Sequence, residues 1–359
     1  MQISHFETHL LKIPLNKLMK TRYLTLEYSY CLLLILKTAE GVEGQGLIRS
    51  AALTDTQMVE RYIHTTSGPM LLKQPTTEPE TIWNTLWLAK RTHVQAGFGL
   101  YALSAIDMAI WDIFAKQQHK PLHQLLHQNP TAPAVYGNGA WLSDTYKEMA
   151  TAVEWYFERG CHHFKMRIGG DDDFGRIRFL RQTFGDTLIL SADANQYYDF
   201  ATACEVSKML ADFNIAWFEE PLFSSSLTEL AQLAKLSPVP IATGENMNSH
   251  WQIQDACALG VATIFQPDVI FQGGITEFKR SATCIQAHEC AMGTHLFHEL
   301  SVSLAGLCDQ SYVEHLDFFP SDLFEHPFEI KTGKIALVDA PGHGATVTKM
   351  AIQKYYIPR

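Results

Sequence analysis

The chain has 359 residues, with 28 Lys and Arg against 38 Asp and Glu, a formal net charge of −10 and no Lys/Arg-rich run. That balance offers no footprint for gripping nucleic-acid phosphates, so no nucleic-acid partner is expected. The apolar run Tyr30 to Leu36 is far short of the ~20 residues of a membrane helix, and the seven cysteines form no close CxxC pair; no membrane association and a reduced, cytoplasmic setting are expected.

The length exceeds the ~100–200 residues of an ordinary domain, which implies one large unit and one smaller. In the first third, Ile3–Ile13 and Tyr30–Lys37 are rich in apolar and β-branched residues, and Glu40-Gly41-Val42-Glu43-Gly44 reads as a hairpin turn. Helical spacing then takes over in Thr56–Met70, Glu78–Ala89 and Leu100–Gln118, giving an α+β unit over residues 1–127. The segment His127-Gln128-Asn129-Pro130-Thr131-Ala132-Pro133 has linker composition.

Beyond the linker, short apolar runs alternate with amphipathic segments. The expected strands are Ala134–Gly139, His163–Arg167, Thr187–Asp193, Ile215–Glu219, Val239–Gly244, Ala262–Pro267, Gly293–His295 and Tyr312–Glu314. The expected helices between them are Thr145–Arg159, Phe174–Phe184, Phe200–Asp212, Ser226–Leu236, Ser249–Leu259, Ile275–Cys290 and Glu299–Cys308. Eight strands with seven intervening helices predict a closed parallel (β/α)7β barrel over residues 134–325, with residues 330–359 returning to the first unit.

The active site of such a barrel lies where strands run into their following loops, so the polar residue ending each strand matters most. Asp193, Glu219 and Glu245 end three consecutive strands at an equal spacing of 26 residues. Three converging acids repel unless a cation neutralises them, and oxygen-only ligands favour a hard ion such as Mg²⁺. Asp268 and His295 end the next two strands, 27 residues apart. A carboxylate bonded to one imidazole nitrogen fixes the tautomer and raises the basicity of the other, as a general base requires. Lys165 and Arg167 end the second strand; an arginine stays protonated at ordinary pH, so it is a poor proton acceptor and a good fork for oxygen anions.

Ala105-Ile-Asp-Met-Ala-Ile-Trp-Asp112, Asp193-Ala-Asn-Gln196, Trp217-Phe-Glu-Glu-Pro221, Gly244-Glu-Asn246, Pro267-Asp268 with Gly273-Gly274, and Thr294-His-Leu-Phe297 occur in order at barrel spacing. Together they resemble the mandelate racemase branch of the enolase superfamily, over nearly the whole chain. The resemblance implies an enolase-like α+β cap domain beside a modified TIM barrel, (β/α)7β, and Mg²⁺ held by Asp193, Glu219 and Glu245. It implies that His295 with Asp268 moves the proton α to a carboxylate, that Lys165 helps to stabilise the resulting charge, and that Glu314 hydrogen-bonds the substrate carboxylate. It further implies that Asn195 touches the metal-bound water or substrate, that loops at about Leu15–Tyr28 and Arg49–Asp55 choose the substrate, and that the assembly is a homo-oligomer. Met19, Lys20 and Arg22 in the first loop are the candidates for contacting the distal part of a sugar acid or diacid.

Related racemases carry a second lysine where this chain has Arg167, so the pattern departs at the position that serves the face opposite the histidine. One good base suits dehydration of a sugar acid to a 2-keto-3-deoxy acid. A racemase, epimerase or cycloisomerase remains the second reading, and a barrel that only binds a ligand the third.

Overall fold

The structure, a computed structural model, describes residues 2–358. The chain opens with a three-stranded antiparallel sheet of β1 (Ile3–Lys20), β2 (Thr25–Thr38) and β3 (Glu43–Ser50), in that order. The buried side chains Leu10, Leu11, Leu32, Leu33, Leu34 and Leu36 hold it to the helices. The turn between β2 and β3 falls where expected, with Gly41 at φ +88 and its N–H on Thr38 O at 3.0 Å. The first hairpin is longer than the sequence reading placed it: the expected Leu15–Tyr28 loop is mostly strand, with only Thr21–Leu24 left as a tip.

The helix Phe98–Gln117 is apolar nearly all round, and 83% of its most apolar 18-residue window is buried inside the protein, which makes it the core of this unit. It lies directly on β3, because a Cβ on Gly44 would sit 2.2 Å from Ala109 O and one on Gly46 would sit 2.0 Å from Ala105 O. Only glycine permits that approach. The expected Thr56–Met70 helix is broken into Leu53–Tyr62, a π-helical turn Ile63–Ser67 and Gly68–Leu71.

Eight parallel strands follow: β4 (Ala134–Gly139), β5 (His163–Arg167), β6 (Ile189–Asp193), β7 (Ile215–Glu219), β8 (Ile241–Thr243), β9 (Ile264–Phe265), β10 (Ala291–Thr294) and β11 (Ser311–His315). Pairing of β11 with β4, Val313 opposite Val135, closes the barrel. The outer helices start at local signals: Thr145 and Glu148 form a reciprocal capping box, while Asp199 and Ser249 accept from Thr202 N and Gln252 N. The last connection corrects the expected Glu299–Cys308 helix, since only His298–Ser301 is α-helical and Ala305–Leu307 is 3₁₀.

The C-terminal segment divides rather than returning whole to the cap. Ile330–Lys331 and Lys334–Ile335 form a small ribbon that pairs with β4 through Lys334 and Ala134. Residues further on reach the cap, where Leu122 N bonds Gly342 O at 2.8 Å and Ile357 N bonds Leu10 O at 2.9 Å.

The two units are joined beside the site. Asp107 of the buried helix accepts from Thr276 N at 2.8 Å and Thr276 Oγ1 at 2.6 Å. Ser104 Oγ bonds Ile270 O at 2.6 Å, and Trp83 Nε1 bonds Gly273 O at 2.8 Å. The loop that carries Asp268 is therefore pinned to the cap.

Candidate active site

Because strand β-carbons alternate, the residues ending β6 and β7 share a rung: Asp193 pairs with Glu219, and Arg167 of β5 pairs with Asp193. Glu245 comes from the loop after β8. Ligand oxygens of Asp193, Glu219 and Glu245 lie within 4.8 Å of one another, and the first two residues are fully buried. Neighbours fix their orientation: Asn195 N donates to Asp193 Oδ1 at 2.8 Å, while Gln266 Nε2 and Trp217 Nε1 donate to Glu219 Oε2 at 2.7 and 3.0 Å. Hard oxygen donors converging on one point, with their outer lone pairs already bonded, fit a divalent cation such as Mg²⁺.

The basic residues ending β5 line the same centre. Lys165, with no exposed surface, contacts Glu219, lies 3.4 Å from Asp193 Oδ2 and 2.7 Å from Glu314 Oε1. Burial pulls against its charged form, but Glu219 and Glu314 outweigh burial and push its pKa up. Arg167 pairs with Asp193, lies with its guanidinium carbon 5.0 Å from the Trp141 ring centre, and keeps a buried Nε with no partner. Both are cationic donors rather than proton acceptors in this arrangement.

His295 stands on the other side. Its Nδ1 is 2.7 Å from Asp268 Oδ2, and its Nε2 is 3.3 Å from Glu245 Oε2. Burial disfavours the imidazolium, yet Glu245 and Asp268 overcome it and raise the pKa. Asp268 is itself held ionised: burial opposes the charge, while His295, Arg49 and the Ile270 N–H favour it. Since the Asp268 carboxylate can only accept, Nδ1 carries the proton toward it, and Nε2, which faces Glu245, would be left to accept a proton once a cation holds that carboxylate.

Glu314 is fully buried, accepting from Asn138 Nδ2 at 2.7 Å and from Leu296 N at 2.6 Å. Asn195, Gln196, Glu220, Leu296 and Phe297, in the loops after β6, β7 and β10, all have positive φ.

Lys165, Arg167, Asp193, Glu219, Glu245, Asp268, His295 and Glu314 thus occupy one cluster. Asn195 joins it through its backbone N–H. Lys20 and Arg22 are exposed: Lys20 accepts from Leu142 N through its carbonyl at 3.1 Å, and Arg22 stacks 4.7 Å above Tyr197. The hairpin turns Met19 inward instead, into a cavity of about 630 Å³ bounded by Asn138, Trp141, Asp317 and Phe318. Three roles were not read from the sequence, although Arg49 opened one of the loops expected to choose the substrate. Asn138 ends β4 as the others end their strands, a signal that was available. Glu220, beside Glu219, is buried and pushed up to about 8 by burial and by Glu245. Arg49, at the end of β3, reaches Asp268 Oδ2 at 3.3 Å.

Residues 9–127 match the family described as mandelate racemase / muconate lactonizing enzyme, N-terminal domain, and residues 148–351 match the family described as Enolase C-terminal domain-like. The chain belongs to the mandelate racemase/muconate lactonizing enzyme family of the enolase superfamily. Among relatives in this family, a 3,6-anhydro-alpha-L-galactonate cycloisomerase from Streptomyces coelicolor is 29% identical over 281 residues, 77% of this chain and 78% of that protein. An arabinonate dehydratase from Saccharolobus solfataricus is 27% identical over 335 residues, 89% of each chain. The crystal structure of L-talarate dehydratase from Polaromonas sp. JS666, complexed with Mg and L-glucarate, superposes with a TM-score of 0.91 at 26% identity, covering 99% of this chain and 98% of that one. The mandelate racemase/muconate lactonizing enzyme architecture, an antiparallel cap on an eight-stranded parallel barrel, is thus shared along almost the full chain.

Proposed function

We propose that this enzyme removes the proton α to the carboxylate of a sugar acid and expels the β-hydroxyl as water, with Mg²⁺ as cofactor. The observation that carries this reading is the asymmetry of the site: one oriented histidine faces the acid trio, and the opposite side offers only Lys165 and Arg167, both tied to carboxylates.

Mg²⁺ held by Asp193, Glu219 and Glu245 would supply positive charge to the substrate carboxylate, making the α-proton more acidic. His295 Nε2 takes that proton, and Asp268 steadies the imidazolium. The negative charge that develops on the carboxylate is met by Lys165 and by the unpaired Nε of Arg167. The β-carbon–oxygen bond then breaks, the departing hydroxide takes a proton from His295 to leave as water, and the enol tautomerises to a 2-keto-3-deoxy acid. The chemistry of the sugar-acid dehydratases among the relatives supports this reading.

Cycloisomerisation shares the first step and differs in the fate of the intermediate, and the names of two relatives favour keeping it as the second reading. A screen of mono- and diacid sugars with Mg²⁺ separates them. Dehydration gives a semicarbazide-reactive keto acid one water lighter than its substrate. An isomer of unchanged mass, semicarbazide-reactive or not, supports the second reading and contradicts the first.

A further inference from the structure

Arg49 stands apart from the other site residues because it comes from the cap. It ends β3, opposite Cys31 of β2, and the glycine-mediated contact of β3 with the buried helix fixes where that strand end lies. From there the guanidinium crosses to the barrel and places Nη2 3.3 Å from Asp268 Oδ2, the oxygen that also holds His295 Nδ1. The other Asp268 oxygen takes the N–H groups of Ile270 at 2.7 Å and Phe271 at 3.3 Å. Asp268 is wholly buried, whereas the Arg49 side chain is 14% exposed. The guanidinium carbon also lies 5.9 Å from the ring centre of Phe318, and Arg49 lines one small cavity with the buried Glu299.

We propose that Arg49 is a positioning residue for proton transfer, completing the bonding of Asp268 so that the cap itself sets the orientation of His295. This rests on the reading, given above, that the Asp268–His295 pair moves the proton. His295 is surrounded by Asp268, Glu245 and Glu314, and Arg49 is the cation at the outer edge of the Asp268 carboxylate. Remove that cation and a buried carboxylate loses one of four donors, which frees it to rotate away from the imidazole. A lysine would keep the charge while losing the planar fork that lets one group bond a carboxylate and lie against a ring. The consequence for catalysis is directional: a misaligned base slows the chemical step far more than it weakens substrate binding.

The experiment compares wild type, Arg49→Lys, Arg49→Met, Arg49→Ala and His295→Asn, each loaded with Mg²⁺, in two ways. The first follows turnover of the acid identified by the keto-acid screen. Arg49→Met is expected to lower kcat about 10²-fold with little change in KM, Arg49→Lys to recover part of that, and millimolar guanidinium to rescue Arg49→Ala. The second needs no substrate: amide hydrogen exchange over residues 268–274 is expected to speed up in Arg49→Met, while the buried helix Phe98–Gln117 keeps its protection. Wild-type kcat in Arg49→Met, or a loss confined to KM with unchanged exchange over 268–274, would overturn the proposal. If His295→Asn turned over normally, the proton-transfer reading would fail separately, and exchange would still decide whether Arg49 holds Asp268.

Discussion

His295 at the mouth of the barrel and His163 at its floor are the same side chain in opposite environments. His295 has a carboxylate on each ring nitrogen, Asp268 at 2.7 Å and Glu245 at 3.3 Å, and its pKa is raised despite burial. His163 sits on β5 among the rings of Trp217, Tyr136 and Tyr312, with centres 4.4, 5.6 and 6.0 Å away, and its Nε2 is 2.9 Å from Ser191 Oγ. Burial drives its pKa down to about 3, although Glu219 pulls the other way. A barrel interior therefore raises the pKa of one histidine and makes another a neutral packing group, and the difference lies in which end of a strand each occupies.

Substitutions at the two ends should separate just as sharply. His295→Asn keeps the volume and a donor toward Asp268 while removing the base, and turnover should fall by about 10³-fold or more with the fold and Mg²⁺ binding retained; near-normal turnover would erase the contrast. Glu245→Gln keeps the shape of the metal site while removing one charge. Its Mg²⁺ affinity by titration calorimetry should fall by at least the roughly 10–100-fold that losing a supporting partner costs, and unchanged affinity would remove Glu245 from the trio.

The smallest effect belongs to the floor. His163 has a folded pKa near 3 against an ordinary value of 6.5, so between those values the unfolded chain binds the extra proton. Stability must then fall as pH drops through that window. His163→Gln should leave turnover unchanged and flatten the acid-side loss by about 1–2 kcal/mol between pH 7 and pH 5, the lower figure allowing for the half-buried position of the residue. Parallel unfolding curves for the two proteins at both pH values would contradict this.

What could be read from the residues follows the same division. Strand-end acids recur with the barrel repeat, so Asp193, Glu219 and Glu245 at intervals of 26 residues announced themselves, and the Asp268 and His295 pair followed from the next interval. Arg49 did not, because it meets Asp268 across 219 positions and no repeat relates a cap strand to a barrel loop. The long first hairpin was cut short on paper because Pro14, Asn16 and Lys17 break the apolar pattern, whereas the register resumes at Met19 opposite Leu26. That resumption turns Met19 inward and leaves Lys20 exposed, a one-residue alternation that composition does not reveal. The Glu299–Cys308 stretch looked helical by spacing, but it must deliver the chain to β11 over a short span and tightens to a 3₁₀ turn.

The most direct measurement is the fate of the α-hydrogen. Wild-type and His295→Asn enzyme, each with Mg²⁺, are incubated with the acid-sugar library in D₂O, and α-deuterium in recovered acid and keto-acid formation are read by NMR. The geometry predicts keto acid from the wild type, and neither keto acid nor α-exchange from the variant. Keto acid or exchange at the wild-type rate in His295→Asn would contradict it and move the base to the Lys165 side of the site.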